Sequence, residues 1–149
     1  MKTFWNDADR HALGTRIAAL SSDRQPLWGT MTAHQMVCHL THSLQMATGD
    51  LPVAPKNLPL RFWPLKQLVI YVAPFPKNAP TAPELVITGT PNSWNADLTE
   101  LRAVCDLVAA RSADALGWPP HPAFGRLTPR AWGVLIYRHM DHHLRQFGV

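Results

Sequence analysis

Two histidines near the C-terminus stand at the spacing that metal sites on helices use. His139 and His143 are four residues apart, so on a helix both imidazoles project from one face, one turn apart. Trp132, Ile136 and Phe147 recur on the same face, which is therefore expected to point to the core. Two imidazoles in an apolar core are costly unless their lone pairs are used. A divalent metal ion is the natural user, because both nitrogens can reach one ion.

A third nitrogen can come from His39. This residue lies in an earlier predicted helix, beside the face that carries Met36 and Ser43. Three protein ligands leave coordination positions open for water or substrate, which is typical of catalytic zinc sites and not of structural ones. The sequence thus predicts a three-histidine site for a divalent metal ion. Imidazole suits zinc, nickel, copper and iron alike, and zinc and nickel are the first candidates.

The other histidines leave alternatives open. His42 lies one turn after His39 and either supports the ligands or replaces His39. His142 is about 60° from the line of the C-terminal pair on the helical wheel. It is expected to be either a supporting group behind the ligands or a solvated side chain. His34, in the first turn of its helix, is expected to be exposed. His121 lies in a proline-rich loop that could cover a pocket.

No carboxylate stands where a general base would be needed. Asp141 is two positions from each C-terminal histidine and so lies on the other side of that helix. Its expected partner is Arg145, four residues further on, in a surface contact. A base would have to be His42, His142 or a metal-bound hydroxide.

The composition narrows the class of protein. The chain has 149 residues, of which 46% are hydrophobic, and we expect one domain over residues 1–149. The net charge is +4, but the basic residues are scattered, which argues against nucleic-acid binding. The longest uncharged apolar run, Leu68–Ala73, is far shorter than the ~20 residues that span a bilayer. Cys38 and Cys105 lack ligand-like spacing and, without an export signal, predict a reducing cytoplasm.

Apolar periodicity and capping residues predict four long helices. Asn6 caps the first, Thr32 and Gln35 form a capping box for the second, and Thr128 precedes Pro129 at the start of the last. The predicted helices cover residues 6–22, 32–48, 94–116 and 129 to the chain end. Four such helices predict an all-α bundle, a fold whose core commonly holds metal sites.

Residues 50–92 contain nine of the fourteen prolines. Because proline breaks helices, this long connection between the second and third long helices is expected to be mostly irregular, with a short helix over Leu65–Val72. We expect it to be ordered, because four aromatic residues give it apolar surface to bury: Phe62, Trp63, Tyr71 and Phe75. The segment either covers one end of the bundle or a pocket, or contacts a partner or a membrane surface.

Several stretches together resemble the DinB-like superfamily. Met36-Val-Cys-His-Leu40 and His139-Met-Asp-His-His143-Leu-Arg-Gln146 match its two histidine motifs, residue by residue at His39, His139, His143 and Gln146. Further stretches resemble one uncharacterised bacterial branch of that superfamily: Trp28–Met36, Pro74–Lys77, Thr81–Glu84, His121–Gly125, Trp132–Gly133 and Asp141–Gly148. One departure is Leu144-Arg145, where Arg-Gly is common, and it affects no expected ligand.

The resemblance implies a four-helix bundle with a three-histidine metal site, often in homodimers. Characterised relatives are metal-dependent transferases or isomerases that use low-molecular-weight thiols. The expected function is therefore that of a metal-dependent enzyme acting on a small molecule, with a low-molecular-weight thiol as co-substrate. The alternative is a bundle that binds a metal or a small ligand without catalysis. Binding to nucleic acid or to a membrane is not expected.

Overall fold

The computed structural model describes residues 1–77, 79–88, 92–111 and 117–149. These residues form five α-helices: α1 (Asp7–Ala18), α2 (Ala33–Thr48), α3 (Leu65–Tyr71), α4 (Trp94–Ala110) and α5 (Pro129–Gln146). Two 3-10 helices, Pro59–Arg61 and Pro83–Leu85, lie in the proline-rich connection. No strand occurs in the described residues. The prediction of an all-α protein is confirmed.

The predicted capping residues start three of the helices. The side chains of Asn6, Thr32 and Thr128 accept hydrogen bonds from backbone N–H groups in the first turns of α1, α2 and α5. The capping box between Thr32 and Gln35 is complete, with both reciprocal hydrogen bonds present. At its other end α2 stops at Gly49, whose φ of +88° is a backbone conformation that glycine adopts without steric cost. Local sequence therefore determines where α2 begins and ends.

Helix ends differ from the prediction in two places. α1 ends at Ala18 and not at residue 22, although Leu20 beyond it is still buried. α5 ends at Gln146 and does not reach the chain end, because the chain turns at Gly148 with a φ of +68°. α4 follows its prediction as far as Ala110, and the predicted helical residues 112–116 lie outside the described residues.

Helix α2 lies between α4 and α5, and α1 and α3 pack against α5. The predicted inner face of α2 is buried, and it meets large side chains of the other helices in one core. Five fully buried members of that core are Met36, Leu40, Leu101, Trp132 and Leu144. This packing brings the histidine-bearing faces of α2 and α5 together.

The proline-rich connection is anchored on α5 by one arginine. Arg138 donates hydrogen bonds from its guanidinium group to the carbonyl oxygens of Val69 (2.9 Å), Ile70 and Ala73 at the end of α3. Ile70 is fully buried. The short helix predicted over Leu65–Val72 is thus present as α3, and it is held in a defined position.

The expected burial of the aromatic residues in this connection is wrong for two of the four. Phe62 is 66% exposed and Trp63 is 81% exposed, whereas Tyr71 and Phe75 pack against the core. A seven-residue helix presents only one narrow face to α5, and Phe62 and Trp63 precede it in the turn that leads into α3.

Within the described residues, no helix is both long enough and apolar enough to cross a membrane.

Candidate metal centre

Three imidazoles meet where α2 faces α5. His39 on α2 and His139 on α5 approach to 3.2 Å between their Nε2 atoms. One nitrogen from each of His39, His139 and His143 lies within 4.8 Å of the others. The rings contact one another edge-on, with centroids 4.8–5.1 Å apart. The structure therefore brings together the three residues that the sequence nominates as metal ligands.

The fold determines this convergence at two levels. His139 and His143 are one turn apart on α5, which places both on the side that faces α2. His39 is 3% exposed and lies between the buried side chains of Met36 and Leu40. The packing of α2 on α5 then closes the group across the interhelical contact.

Hydrogen bonds hold the second nitrogen of two of the rings. His39 Nδ1 donates to the carbonyl oxygen of Leu85 at 3.0 Å, so the proline-rich connection orients this ring. His143 Nδ1 donates to Gln146 Oε1 at 2.9 Å, and Gln146 Nε2 donates to the carbonyl oxygen of Trp28 at 2.8 Å. A proton held at Nδ1 leaves the lone pair on Nε2, which is the arrangement that orients metal-binding histidines.

Burial keeps the three imidazoles neutral at pH 7. Burial, together with the proximity of the other rings, lowers the pKa of His143 to about 3 and that of His139 well below the usual value. Burial also lowers the pKa of His39, although its hydrogen bond to Leu85 opposes that shift. Neutral imidazoles have free lone pairs, so the group is ready to bind a cation without first losing protons.

The donor set fits a divalent transition-metal ion. Bonds of 2.0–2.1 Å in tetrahedral geometry separate ligand nitrogens by roughly 3.3–3.4 Å, close to the 3.2 Å between His39 and His139. Zinc and nickel both accept imidazole nitrogen. The group contains no carboxylate among the described residues, so three neutral ligands would leave the full charge of the ion uncompensated.

A cleft lies over a neighbouring face of α5, and its lining includes His142 but none of the three histidines of the group. It has a volume of about 240 Å³ and is lined by Trp28, Phe75, Lys77, His142 and Arg145, among others. The half-buried His142 ring lies between the rings of Trp28 and Phe75 and 5.3 Å from the ring of His143. Burial and the charge of Arg145 lower the pKa of His142. Within the described residues His142 makes no hydrogen bond to a ligand histidine, so its role as a supporting group stays a prediction.

Two other histidines lie outside the three-histidine group. His42 does not replace His39, and its buried Nδ1 has no hydrogen-bond partner among the described residues. His121 Nδ1 accepts hydrogen bonds from the backbone N–H groups of Ala123 and Phe124, which closes the turn that contains it. Burial lowers the pKa of His121 to about 4.

Asp141 pairs with Arg145 as expected, and it also has a closer partner that was not expected. Its Oδ1 accepts a hydrogen bond from Arg16 at 2.6 Å, while Arg145 is 3.9 Å away. The helical pattern of α5 cannot reveal this pair, because Arg16 comes from α1, 125 residues earlier. Asp141 also lines the cleft. It therefore ties α1 to α5, and it is not the exposed residue that the sequence suggests.

A second group of donors lies on the opposite side of α2. His34, expected to be exposed, is half-buried, and its Nε2 is 2.6 Å from Asp97 Oδ2 on α4. Cys38, one turn after His34, donates from its thiol to the same oxygen at 3.4 Å. Burial and the neighbouring carboxylate raise the pKa of the Cys38 thiol to about 12. The spacing of His34 and Cys38 was a visible signal, but the third member could not be found without the packing of α4.

Comparisons with known proteins identify the family and no function. The family described as "Protein of unknown function (DUF1569)" matches residues 8–148, and the chain belongs to this family. Neither the curated proteins nor the solved structures include a match to the chain.

Proposed function

We propose that this chain is a metal-dependent enzyme whose divalent ion, zinc or nickel, is held by His39, His139 and His143. The reaction is the transfer or isomerisation of a small electrophilic substrate with a low-molecular-weight thiol as co-substrate. The thiol chemistry rests on the resemblance to the DinB-like superfamily, as do the four-helix bundle and a homodimeric assembly.

The observation that carries this proposal is the convergence of three neutral imidazoles, two of which, His39 and His143, have their other nitrogen engaged in a hydrogen bond. His39 and His143 are oriented by Leu85 and Gln146, so their Nε2 lone pairs are directed into the group. Such support is expected of metal ligands, since it fixes both the tautomer and the orientation of the ring. The Nε2 atoms of His39 and His139 are 3.2 Å apart, so one ion at the usual bond length could take a nitrogen from each ring.

The proposed chemistry divides between the ion and the residues of the cleft. A divalent ion with only neutral ligands lowers the pKa of a bound water or thiol. His142, neutral and next to His143, is placed to accept a proton at its ring nitrogen. The rings of Trp28 and Phe75 form apolar walls for a small substrate.

Charges at the mouth of the cleft favour a small anion as substrate or co-substrate. Lys77 Nζ lies 4.6 Å from the centroid of the Trp28 ring, and the largely exposed Arg145 lines the same cleft. Asp141, the acidic residue of this lining, is engaged by Arg16. Low-molecular-weight thiols that carry carboxylates have the complementary charge.

The test is the metal content and turnover of untagged protein. We expect about one tightly held ion per three-histidine site in the wild type, and its loss in His143→Ala with helicity retained. His11→Ala is the matched control, because His11 is exposed on α1. Full metal occupancy in His143→Ala would contradict the assignment of ligands. Metal loss without any effect on a thiol-dependent turnover would show that the metal is not the catalyst, and metal-loaded protein without any such turnover would favour a bundle that binds metal without catalysis.

A further inference from the structure

The side of α2 that faces α4 carries a second convergent set of donors. His34 Nε2 and Cys38 Sγ both approach Asp97 Oδ2, at 2.6 Å and 3.4 Å. The three ligand atoms lie within 4.8 Å of one another. None of these residues belongs to the three-histidine group, because His34 and Cys38 project from α2 in a different direction from His39.

We propose that His34, Cys38 and Asp97 bind a second metal ion, zinc, which cross-links α2 to α4. Imidazole, thiolate and carboxylate are the three kinds of ligand that zinc takes in proteins. A thiolate ligand also favours zinc over the hard cations magnesium and calcium, which prefer oxygen. Water completes the coordination, since the three protein ligands leave one tetrahedral position open.

The surroundings of the three ligands support this assignment. Asp97 is 4% exposed, and its other oxygen, Oδ1, accepts a hydrogen bond from Asn92 Nδ2 at 3.1 Å. The ring of His34 meets the ring of Trp94 edge-on, with centroids 5.5 Å apart. A hydrogen-bonded carboxylate of this kind is typical of metal sites, and the Trp94 ring packs against the imidazole of His34. The His34 side chain is 20% exposed, which gives an ion access from solvent.

Binding requires only a small change in geometry. Tetrahedral bonds of 2.0–2.3 Å separate ligand atoms by roughly 3.3–3.7 Å, so Asp97 and His34 must move apart by somewhat less than 1 Å from their present 2.6 Å. The Cys38 thiol loses its proton to solvent and binds as the thiolate. His34 Nε2, which donates to Asp97 in the metal-free protein, gives up that proton to solvent, and His34 binds as the neutral tautomer that carries its proton on Nδ1.

The charge of this donor set separates its role from that of the three-histidine group. Thiolate and carboxylate together carry two negative charges, which cancel the charge of the ion. An ion whose charge is cancelled by its ligands is a weaker Lewis acid, and its burial costs less free energy than that of a charged site. The expected role is therefore to stabilise the contact between α2 and α4, and the expected effect of zinc is a higher melting temperature even when the three-histidine group is disabled.

Cobalt(II) distinguishes the two sites, because only a thiolate ligand produces a sulfur-to-cobalt charge-transfer band in the near ultraviolet. We expect chelator-treated wild-type protein to develop this band with cobalt in excess of the two proposed sites, and zinc to abolish it by displacement. Cys38→Ala removes the band, whereas Cys105→Ala, on α4, retains it. His143→Ala also retains it, so failure of the three-histidine site and failure of this site give different results.

Two outcomes would overturn the second site. One is the absence of a thiolate band in folded wild-type protein with cobalt in excess. The other is a band that persists in Cys38→Ala or disappears in Cys105→Ala. Circular dichroism of each variant establishes that the helices are intact. Asp97→Asn, which keeps the size of the side chain and removes its charge, is expected to weaken cobalt binding at this site at least tenfold.

Discussion

Helix α2 presents two different donor sets to its two neighbours. Toward α5 it contributes His39 to a group of three imidazoles, and toward α4 it contributes His34 and Cys38 to a group completed by Asp97. Cys38 and His39 are consecutive residues, yet their side chains point in different directions, because successive positions of a helix diverge by about 100°. A single helix thus brings two different candidate donor sets within a few residues of each other.

The difference between the two groups lies in the charge of their donors. The imidazoles are neutral, and they would leave a bound ion its full charge for use on a substrate. The carboxylate and the thiol would cancel that charge. The first group also adjoins a cleft, through the contact between His143 and His142. We infer that reactivity belongs to the side of α2 that faces α5, and stability to the side that faces α4.

The largest expected effect separates the two sides by stability. Asp97→Ala removes the buried acceptor shared by His34, Cys38 and Asn92, and it leaves their polar groups without that partner. We expect the free energy of unfolding of the metal-free protein to fall by about 2–3 kcal/mol. Urea unfolding with chelator present measures the change.

Asp106→Ala provides the matched control for this change, because Asp106 is exposed on the same helix. It is expected to alter stability by less than about 0.5 kcal/mol. In both variants the three-histidine group should bind metal as in the wild type. A loss of metal from that group in Asp97→Ala would show that the two sides of α2 are coupled and not independent.

The sequence predicted the three-histidine side far better than the other. His139 and His143 are four residues apart on one helix, His39 lies beside the predicted inner face of another, and the resemblance to a known family added Gln146. Asp97 lies 59 residues from Cys38, and nothing local marks it as that residue's partner. The same limit explains Asp141, whose partner Arg16 comes from α1. Periodicity identifies the buried face of a helix, but the choice of the helix that covers it depends on tertiary packing.

The proline-rich connection shows the same limit. Its proline content correctly predicted a mostly irregular segment, yet not that the carbonyl oxygen of Leu85 would orient His39. Composition also failed at Phe62 and Trp63, since their apolar character does not determine that they are buried.

The next prediction concerns the support of the three-histidine group. Gln146→Leu removes the acceptor for His143 Nδ1 and the donor to the Trp28 carbonyl. Loss of such a partner typically costs 10–100-fold in metal affinity, and we expect a loss in that range with helicity retained. Competition with a metal indicator gives the dissociation constant. Gln25→Leu, at an exposed position, should have no effect, and unchanged affinity in Gln146→Leu would mean that His143 is not a ligand.

A third prediction separates the two sides by pH. Burial lowers the pKa of His143 to about 3, whereas an unfolded histidine titrates near 6.5. Below about pH 6.5 the unfolded chain takes up a proton that folded His143 does not. The free energy of unfolding of the metal-free protein therefore decreases as the pH is lowered. The contribution of one histidine is at most about 1.4 kcal/mol per pH unit.

The carboxylate on the other side behaves differently. Hydrogen bonds from Asn92, His34 and Cys38 outweigh burial and lower the pKa of Asp97 below 3.8, so its contribution is present above that value and is lost only in stronger acid. Urea midpoints between pH 7 and 4.5 should therefore depend less steeply on pH in His143→Leu and equally steeply in Asp97→Asn. The reverse pattern would assign the acid sensitivity to the side that faces α4.

The smallest effect is expected at His42, on α2 between the two groups. Its Nδ1 is buried without a hydrogen-bond partner among the described residues, and burial of an unpaired polar atom costs about 1–3 kcal/mol. His42→Leu removes that cost at similar volume, so the free energy of unfolding should stay the same or rise by about 1 kcal/mol. Metal content should not change, because His42 belongs to neither group. Loss of one ion per chain in His42→Leu would instead make His42 the ligand that the sequence allows in place of His39, and the division of α2 into two sides would have to be redrawn around it.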